Sequence, residues 1–162
     1  MKPDKKFINT ILPITDKMFR LAASITGNKQ DAEDVVQDTM LKVWQKREEW
    51  NAIVNFEGYC LRSVRNIALD KISLKDNQLE SIPDFFDPPM ESQTDPLEIE
   101  EQLEAIEKIL SNLPEKQRTV FQLRDVEGLS YKEIEQIMNI SEEQVKVNLF
   151  RVRQKIKKLL KS

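Results

Sequence analysis

The chain has no histidine, a single cysteine and only three glycines among its 162 residues. Without histidine, catalytic triads and acid–base pairs that depend on an imidazole are excluded. Cys60 cannot form an internal disulfide, and one cysteine without histidine does not supply the usual ligands of a zinc site. We therefore expect no metal, no cofactor and no catalytic site that uses histidine. We also expect a buried thiol in a reducing compartment.

Long apolar runs are also missing, and none approaches the roughly 18 residues that span a bilayer. The N-terminal segment has lysines but only a short apolar stretch, which Pro13 interrupts, so it does not indicate a signal peptide. Apolar residues recur at helical spacing throughout, whereas strand-like alternation is not sustained anywhere. The sequence therefore predicts an all-α protein in the cytoplasm.

Basic residues are scarce only in the middle of the chain. The net charge is −3, but residues 1–76 hold 13 basic and 11 acidic side chains, and residues 113–162 hold 11 and 7. Residues 77–112 hold 1 basic and 10 acidic side chains, and four of the seven prolines lie there. Over residues 77–97 this composition disfavours both helix and strand, and a short acidic helix is predicted to begin near Asp95 and to run through Leu103, Ile106, Ile109 and Leu110. We predict two small helical domains, residues 1–76 and 104–162, joined by an extended acidic linker over 77–103.

Two helices near the C-terminus begin with the same capping pattern. Ser130 is followed three residues later by Glu133, and Ser141 is followed three residues later by Gln144. In each pair, the serine and the longer side chain can satisfy each other's backbone N–H groups. The very short connection between the helices predicts a helix-turn-helix.

The last helix combines one apolar stripe with a basic remainder. The stripe consists of Val145, Leu149, Val152, Ile156 and Leu159. Beyond Glu143 the helix has no acidic residue, and its other faces carry lysines and arginines. Such a helix can lie in the major groove of DNA. A solvated surface helix can have a similar composition, but the paired caps and the preceding short helix favour DNA binding.

The N-terminal domain is predicted to contain three helices. The first spans Ile14–Thr26, after a separate turn at Phe7–Leu12, because Pro13 disfavours helix at the residue before it. The second, Asp31–Lys46, has a largely acidic face opposite its apolar stripe. A solvated face would explain these acids, whereas a docking face for a basic partner would also explain the leucine among them. The third helix starts at Phe56 and ends near Leu74. In the C-terminal domain, a further helix spans Glu115–Glu127.

Three segments resemble bacterial RNA polymerase sigma factors of the extracytoplasmic-function (ECF) type, within the sigma-70 family. The family's core-binding helix is similar to DAEDVVQDTMLKVWQKR. Its promoter-melting and minus-ten segment is similar to NFEGYCLRSVRNIALDKI. Its fourth domain resembles LPEKQRTVFQLRDVEGLSYKEIEQIMNISEEQVKVNLFRVRQKIKKL. The three segments occur in the family's order and cover nearly the whole chain.

The resemblance implies a sigma factor that binds core RNA polymerase and directs promoter recognition and melting. Its partners would be core polymerase, promoter DNA and an anti-sigma factor, which can be membrane-anchored; no small-molecule substrate or enzymatic activity is implied. The implied core-polymerase contacts are Asp31, Asp34, Gln37, Asp38 and Leu41. The implied minus-ten contacts are Asn51, Asn55, Glu57, Arg62, Arg65, Asn66 and Lys71. The implied minus-thirty-five contacts are Gln144, Lys146, Val147, Asn148, Phe150, Arg151, Arg153 and Lys155, with Arg153 and Lys155 expected on phosphates.

The last helix, which the resemblance makes the recognition helix for the minus-thirty-five element, departs from the family pattern at two positions. Many members have a serine and an arginine where this chain has Val147 and Asn148. Guanine reading by an arginine at the second position is therefore not expected, while Val147 can meet a thymine methyl group.

Two other classes of protein remain as alternatives. A helix-turn-helix repressor would act as a dimer without polymerase and would need an apolar dimer face in its N-terminal domain. A helical protein-binding scaffold would not need the basic last helix. The acidic face of the second helix favours the sigma factor over the repressor.

Overall fold

The computed structural model describes residues 5–78 and 99–160, and all regular elements within them are helical. In chain order they are α1 (Lys5–Thr26), α2 (Lys29–Gln45), a 3-10 helix (Arg47–Ala52), α3 (Phe56–Gln78), α4 (Ile99–Ser111), α5 (Glu115–Phe121), a π-helical turn (Gln122–Val126), α6 (Tyr131–Met138) and α7 (Glu142–Leu160). The all-α prediction is confirmed. Most of the predicted linker lies outside the described residues. Its first two residues, 77–78, belong to α3, and its last five, 99–103, belong to α4.

The first helix is longer than the sequence predicted. α1 continues through Pro13 without a break, so the separate turn predicted at Phe7–Leu12 is wrong. Ile11 is 1% exposed and lies on the same buried face as Ile14 and Met18. Because proline removes one backbone donor whereas the extra turn buries a whole isoleucine side chain, packing outweighs the local preference.

The core of the N-terminal domain lies where α1, α2 and α3 pack against one another. α2 buries the apolar stripe predicted for it, with Val35 and Val43 fully inaccessible to solvent. Thr39 is also fully buried, and its hydroxyl donates to the carbonyl oxygen of Val35 at 2.7 Å. The one buried hydroxyl of this stripe therefore has a partner, as burial requires.

Cys60 lies on the buried face of α3, as predicted. Burial raises the pKa of its thiol to about 12. Since the thiolate is the nucleophile, we expect almost no reaction with Ellman's reagent at pH 8 until urea unfolds the domain. Labelling of the native protein as fast as that of a free cysteine would show that α3 packs on a different face.

The C-terminal domain contains an irregular turn that the sequence did not predict. The helix predicted over Glu115–Glu127 changes from α5 into a π-helical turn after Phe121. This wider turn keeps Leu123 fully buried, while Val126 is half exposed. The N–H of Leu129 then donates to the carbonyl oxygen of Leu123 at 2.9 Å, and Gly128 supports the reversal with φ +74°.

Helix α7, the predicted recognition helix, packs mainly on α5 and α6. Val145, Leu149 and Val152 are buried, and Ile156 is partly buried, which confirms most of the predicted stripe. Leu159 is 49% exposed, so the prediction of its burial is wrong.

The two halves of the chain also pack against each other. α3 contacts α6, while α1 contacts α5 and the π-helical turn. Two domains joined by a linker need not touch each other, and the sequence analysis did not predict this contact. None of the helices in the described ranges is both long enough and apolar enough to cross a membrane.

Candidate polymerase and DNA interfaces

The outer face of α2 carries exposed polar residues and one exposed leucine. Asp34, Gln37 and Asp38 are exposed, and Leu41 is 58% exposed on the same side. The opposite side of α2 is fully packed into the core. The helix therefore presents an acidic surface with an apolar group, here called the α2 outer face and comprising these four residues.

Asp31 differs from the other residues that the family resemblance assigned to polymerase. Its carboxylate forms an ion pair with Lys75 of α3, and its side chain is only 13% exposed. Asn28 caps α2 by accepting a hydrogen bond from the Asp31 N–H at 3.1 Å. Asp31 thus already ties α2 to α3. Asp34 also approaches α3, with 3.5 Å between its carboxylate and Lys71, but its side chain remains half exposed.

Aromatic side chains brace the segment before α3. Trp50 packs edge-on against Trp44 and Phe56, with centroid separations of 6.4 and 5.2 Å, and its indole N–H donates to Val43 O at 3.0 Å. Val54, in the loop, is fully exposed. An exposed loop held between packed aromatic residues is a suitable place to receive an unstacked base.

The predicted minus-ten residues of this loop are partly engaged in structural contacts. Asn51 is exposed, whereas the Asn55 side chain accepts a hydrogen bond from the Gly58 N–H at 3.0 Å and so caps α3. A Cβ at Gly58 would lie 3.0 Å from that amide, so glycine permits the close approach. Glu57 pairs with Lys17 at 2.8 Å, and this hydrogen bond raises the pKa of Lys17.

The basic residues of α3 do not all reach the same surface. Arg62 and Asn66 are exposed, and Lys71 is partly buried beside Asp34. Arg65 is only 8% exposed and bonds to Glu115 of α5 and to the carbonyl oxygen of Met138. In this arrangement the Arg65 guanidinium is occupied by groups of the C-terminal domain, and its contact with DNA stays a prediction. The physical reason is the packing of the C-terminal domain on α3.

The helix-turn-helix has the predicted caps. The Ser130 hydroxyl accepts from the Glu133 N–H at 3.1 Å, and the Glu133 carboxylate accepts from the Ser130 N–H at 3.2 Å. Ser141 and Gln144 form the equivalent pair, with both distances 3.2 Å. Asn139 adopts a left-handed conformation with φ +55°, which ends α6 and turns the chain toward α7.

Most of the predicted minus-thirty-five residues lie on one exposed side of α7. Val147 is 46% exposed and Phe150 is 64% exposed, so both apolar side chains are accessible to a binding partner. Arg151 is exposed and makes no side-chain ion pair or hydrogen bond with any part of the chain that the structure describes. The Asn148 amide instead donates to the Gln144 carbonyl oxygen at 2.8 Å.

The two residues expected on phosphates already have partners. Arg153 binds Asp125 of the π-helical turn through two nitrogens, with 3.0 Å between Nε and Oδ2, and these hydrogen bonds raise the pKa of Arg153. Lys155 reaches the Gln117 side chain at 3.4 Å. Sequence reasoning missed Asp125 because its position depends on the π-helical turn, which has no recognisable sequence signature.

Tyr131 is a second residue that the sequence did not single out. It begins α6 and lies beside α7, with Lys146 5.5 Å and Arg124 4.5 Å from its ring centroid. These cation–π contacts hold two basic groups at the edge of the recognition helix. The exposed apolar residues, the uncommitted Arg151 and these basic groups together suit a nucleic-acid surface.

Comparisons with known proteins agree with this geometry. Residues 15–78 match the family model for sigma-70 region 2, and residues 103–156 match the model for sigma-70 region 4. The chain belongs to the sigma-70 family. The relatives found among curated proteins include the ECF RNA polymerase sigma factor SigE of Mycolicibacterium smegmatis, at 30% identity over 90% of this chain and 58% of that protein. The chain therefore spans little more than half the length of SigE.

A second relative from the ECF group matches over more of its own length. The ECF RNA polymerase sigma factor SigW of Bacillus subtilis is 26% identical over 90% of this chain and 84% of that protein. Among solved structures, the sigma factor RpoE of Bartonella quintana, in complex with the anti-sigma factor NepR, has a TM-score of 0.77. It is 23% identical and covers 98% of both chains, so it confirms the two-domain fold. Family membership does not favour the repressor alternative.

Proposed function

We propose that this sigma-70 family protein is a transcription initiation factor that binds core RNA polymerase and directs promoter recognition and melting. The observation that carries the proposal is that one chain joins an exposed acidic docking helix to a capped helix-turn-helix with a basic recognition helix. These features lie within the region 2 and region 4 matches, respectively. Two weak contacts joined in one chain act at a high effective concentration, which gives the holoenzyme its specificity.

The proposed polymerase contact is the α2 outer face: Asp34, Gln37, Asp38 and Leu41. Exposed acidic side chains steer association with a basic partner. The exposed leucine adds apolar surface, and its burial at the interface would stabilise the complex. Asp31 contributes by orienting α2 through its ion pair with Lys75. The sigma factor would carry no catalytic residue, because the chemistry of RNA synthesis belongs to the polymerase. The protein would act in the cytoplasm.

The proposed minus-ten surface is the loop before α3 together with the exposed side of that helix. Asn51 and the loop around Val54 would receive an unstacked base, and Arg62 and Asn66 would contact the strand. Flipping a base costs a few kcal/mol, which stacking and polar contacts can recover. Asn55, Glu57 and Lys71 would act mainly by holding the loop and α3 in place, because each already bonds within the domain.

The proposed minus-thirty-five surface is the exposed side of α7. Val147 and Phe150 would make apolar contacts with base edges, and Gln144, Lys146 and Arg151 would supply polar contacts. The Asn148 amide gives one N–H to the Gln144 carbonyl, so its second N–H and its oxygen would contact a base edge. Arg153 and Lys155 would hold phosphates once DNA displaces their present partners, so they position the helix without specifying sequence.

Arg151 provides the clearest test of this surface, because its side chain is exposed and uncommitted. Arg151→Ala should lose about 1–3 kcal/mol of discrimination at one promoter position if the guanidinium reads a base. Run-off transcription across single-base promoter variants measures this loss. Lys132→Ala on exposed α6 removes an equal charge and is the control. Unchanged activity of the Arg151 variant on every promoter would exclude both base reading and phosphate binding.

An anti-sigma factor is proposed as a further partner. Among the similar solved structures, RpoE of Bartonella quintana is in complex with the anti-sigma factor NepR, and CnrH is in complex with the cytosolic domain of CnrY. No small-molecule substrate is proposed.

The experiment that tests the proposed function is co-purification with core RNA polymerase, followed by transcription from promoters that the holoenzyme selects from a random DNA library. Stable binding and selection of a two-element promoter are expected. Specific DNA binding as a dimer, without any polymerase binding, would instead identify a repressor. Binding to neither would contradict the proposal.

A further inference from the structure

Two apolar side chains lie side by side on the outward surface of α7. Val147 and Phe150 are both exposed to solvent, and residues three positions apart in a helix are neighbours on its surface. They therefore form one patch, here called the apolar patch of α7. At about 100° per residue, Val147 lies almost directly opposite the buried stripe, so the patch faces away from the core of the domain.

The polar residues that flank this patch are bonded within the domain. The side-chain oxygen of Gln144 accepts a hydrogen bond from the Ser141 N–H at 3.2 Å. The Asn148 amide donates to the carbonyl oxygen of Gln144 at 2.8 Å. The Lys146 ammonium lies 5.5 Å from the ring centroid of Tyr131, toward the start of α6. These contacts hold the neighbouring polar groups to the sides and leave the patch itself apolar.

The position of the patch along α7 is the one at which a recognition helix meets bases. Val147 and Phe150 both lie in the first half of the helix, which begins at Glu142. In helix-turn-helix proteins the N-terminal part of the recognition helix contacts base edges in the major groove. A single exposed apolar residue on a protein surface needs no explanation, but two adjacent ones at this position call for an apolar group on the DNA.

The major groove offers one such group. Guanine, adenine and cytosine present only hydrogen-bond donors and acceptors there, whereas thymine also presents its C5 methyl group. An apolar patch pressed against the other three bases would leave buried polar atoms without partners, which is unfavourable. Against thymine, the methyl group would leave water and gain apolar neighbours, which is favourable. Thymine is therefore the base that the patch fits.

We infer that the apolar patch of α7 is a seat for the C5 methyl group of one thymine, and that it fixes one T·A base pair in the minus-thirty-five element. This inference rests on the proposed function, because it assumes that α7 lies in the major groove of promoter DNA. Val147 and Phe150 contact the methyl group from two sides. Arg151, which follows Val147 by one helical turn, is left to bind a neighbouring base edge or phosphate.

The first test removes the methyl group and nothing else. Holoenzyme made from the full chain and core polymerase selects a promoter from a random library. Each thymine of the selected minus-thirty-five element, on either strand, is then replaced in turn by deoxyuracil, which pairs in the same way but has no C5 methyl. One replacement should weaken holoenzyme binding about fourfold, the loss expected when one buried methyl contact is removed. The other replacements should leave the affinity unchanged.

The second test adds a methyl group at the same place. The T·A pair identified by deoxyuracil is changed to C·G, which should weaken binding by more than deoxyuracil does because a polar edge then meets the patch. Replacing that cytosine by 5-methylcytosine places a methyl group on C5 again. Binding should recover by about fourfold relative to cytosine. The two analogues change the affinity in opposite directions only if the methyl group itself is read.

A pair of variants assigns the effect to the patch. Holoenzyme with Val147→Ser/Phe150→Ser should bind the thymine and deoxyuracil promoters equally well. The ratio of the two affinities within one variant cancels any general loss of DNA binding, as in a double-mutant cycle. Val126 in the π-helical turn is 50% exposed, close to the 46% of Val147, and lies outside α7. Val126→Ser is therefore the matched control and should keep the fourfold difference.

The methyl seat is overturned if no deoxyuracil replacement lowers the affinity, or if the double variant keeps the full difference between thymine and deoxyuracil. Loss of core polymerase by the double variant, with no methyl effect in the unmodified holoenzyme, would assign the patch to a protein contact instead. Failure of the unmodified holoenzyme to select any promoter would overturn the proposed function. A promoter that is selected but insensitive to its methyl groups would overturn the methyl seat alone.

Discussion

Replacing Asp34 and Asp38 by arginine is expected to abolish binding to core polymerase. Both carboxylates lie on the α2 outer face, and each substitution reverses a charge at a site proposed to meet a basic partner. Like charges brought together at an interface cost several kcal/mol, so affinity should fall by at least about 100-fold. Binding is measured by competition for core polymerase, and the consequence by promoter-dependent transcription.

The double substitution should leave the fold intact, because the α2 outer face lies in solvent and the opposite face forms the core. Loss of the contact between Asp34 and Lys71, which is half exposed, should cost only about 0–1 kcal/mol. Glu104→Arg with Glu107→Arg on exposed residues of α4 makes the same charge change elsewhere and is the matched control. Normal transcription by a folded Asp34/Asp38 variant would show that polymerase uses another surface.

Local sequence patterns predicted the helices well because each pattern acts within a few residues. The two serine caps, the buried stripe of α2 and the first three stripe residues of α7 are all confirmed. A cap needs a side chain three positions away, and a helical stripe needs only spacing of three and four. The exceptions at Pro13 and Leu159 depend on whether another helix covers the position, which spacing does not specify.

The candidate interfaces were less predictable because their state depends on residues far apart in the chain. Arg65 and Arg153 occupy positions that the family resemblance assigns to DNA contacts. Each of them nevertheless binds an acidic residue elsewhere in the chain. The partners Glu115 and Asp125 are 50 and 28 residues away, and the second depends on an irregular turn. Charge patterning identified the arginines but could not show that the folded chain already satisfies them.

Two substitutions of valine in α7, two residues apart, should differ greatly in their effect on stability. Val145 is fully buried, whereas Val147 is 46% exposed on the proposed DNA side of the same helix. Val145→Asp places a carboxyl group in the apolar core without a designed partner, which costs several kcal/mol. Val147→Asp keeps the carboxylate in solvent and should change stability by less than about 0.5 kcal/mol, although it should weaken DNA binding.

The size of the Val145→Asp effect follows from protonation. A buried carboxyl group can avoid its charge by binding a proton, but holding that proton at pH 7 costs about 1.4 kcal/mol for each unit above the usual aspartate pKa near 4. About 4 kcal/mol is thus lost, and the missing apolar contacts add about 1 kcal/mol or more. Against a total stability of about 5–15 kcal/mol, this should unfold the C-terminal domain in much of the population.

The same argument gives a pH dependence that a simple cavity would not show. The introduced carboxyl group has a higher pKa in the folded than in the unfolded chain, so the folded state binds more protons above pH 4. Stability relative to the unmodified protein should therefore fall as pH rises from about 4 to 7, and recover on acidification. Urea unfolding followed by circular dichroism at several pH values measures this difference, with Val147→Asp as the matched control. Equal stability of the two variants at pH 7 would mean that α7 presents a different face to the core, and the proposed DNA surface would have to be reassigned with it.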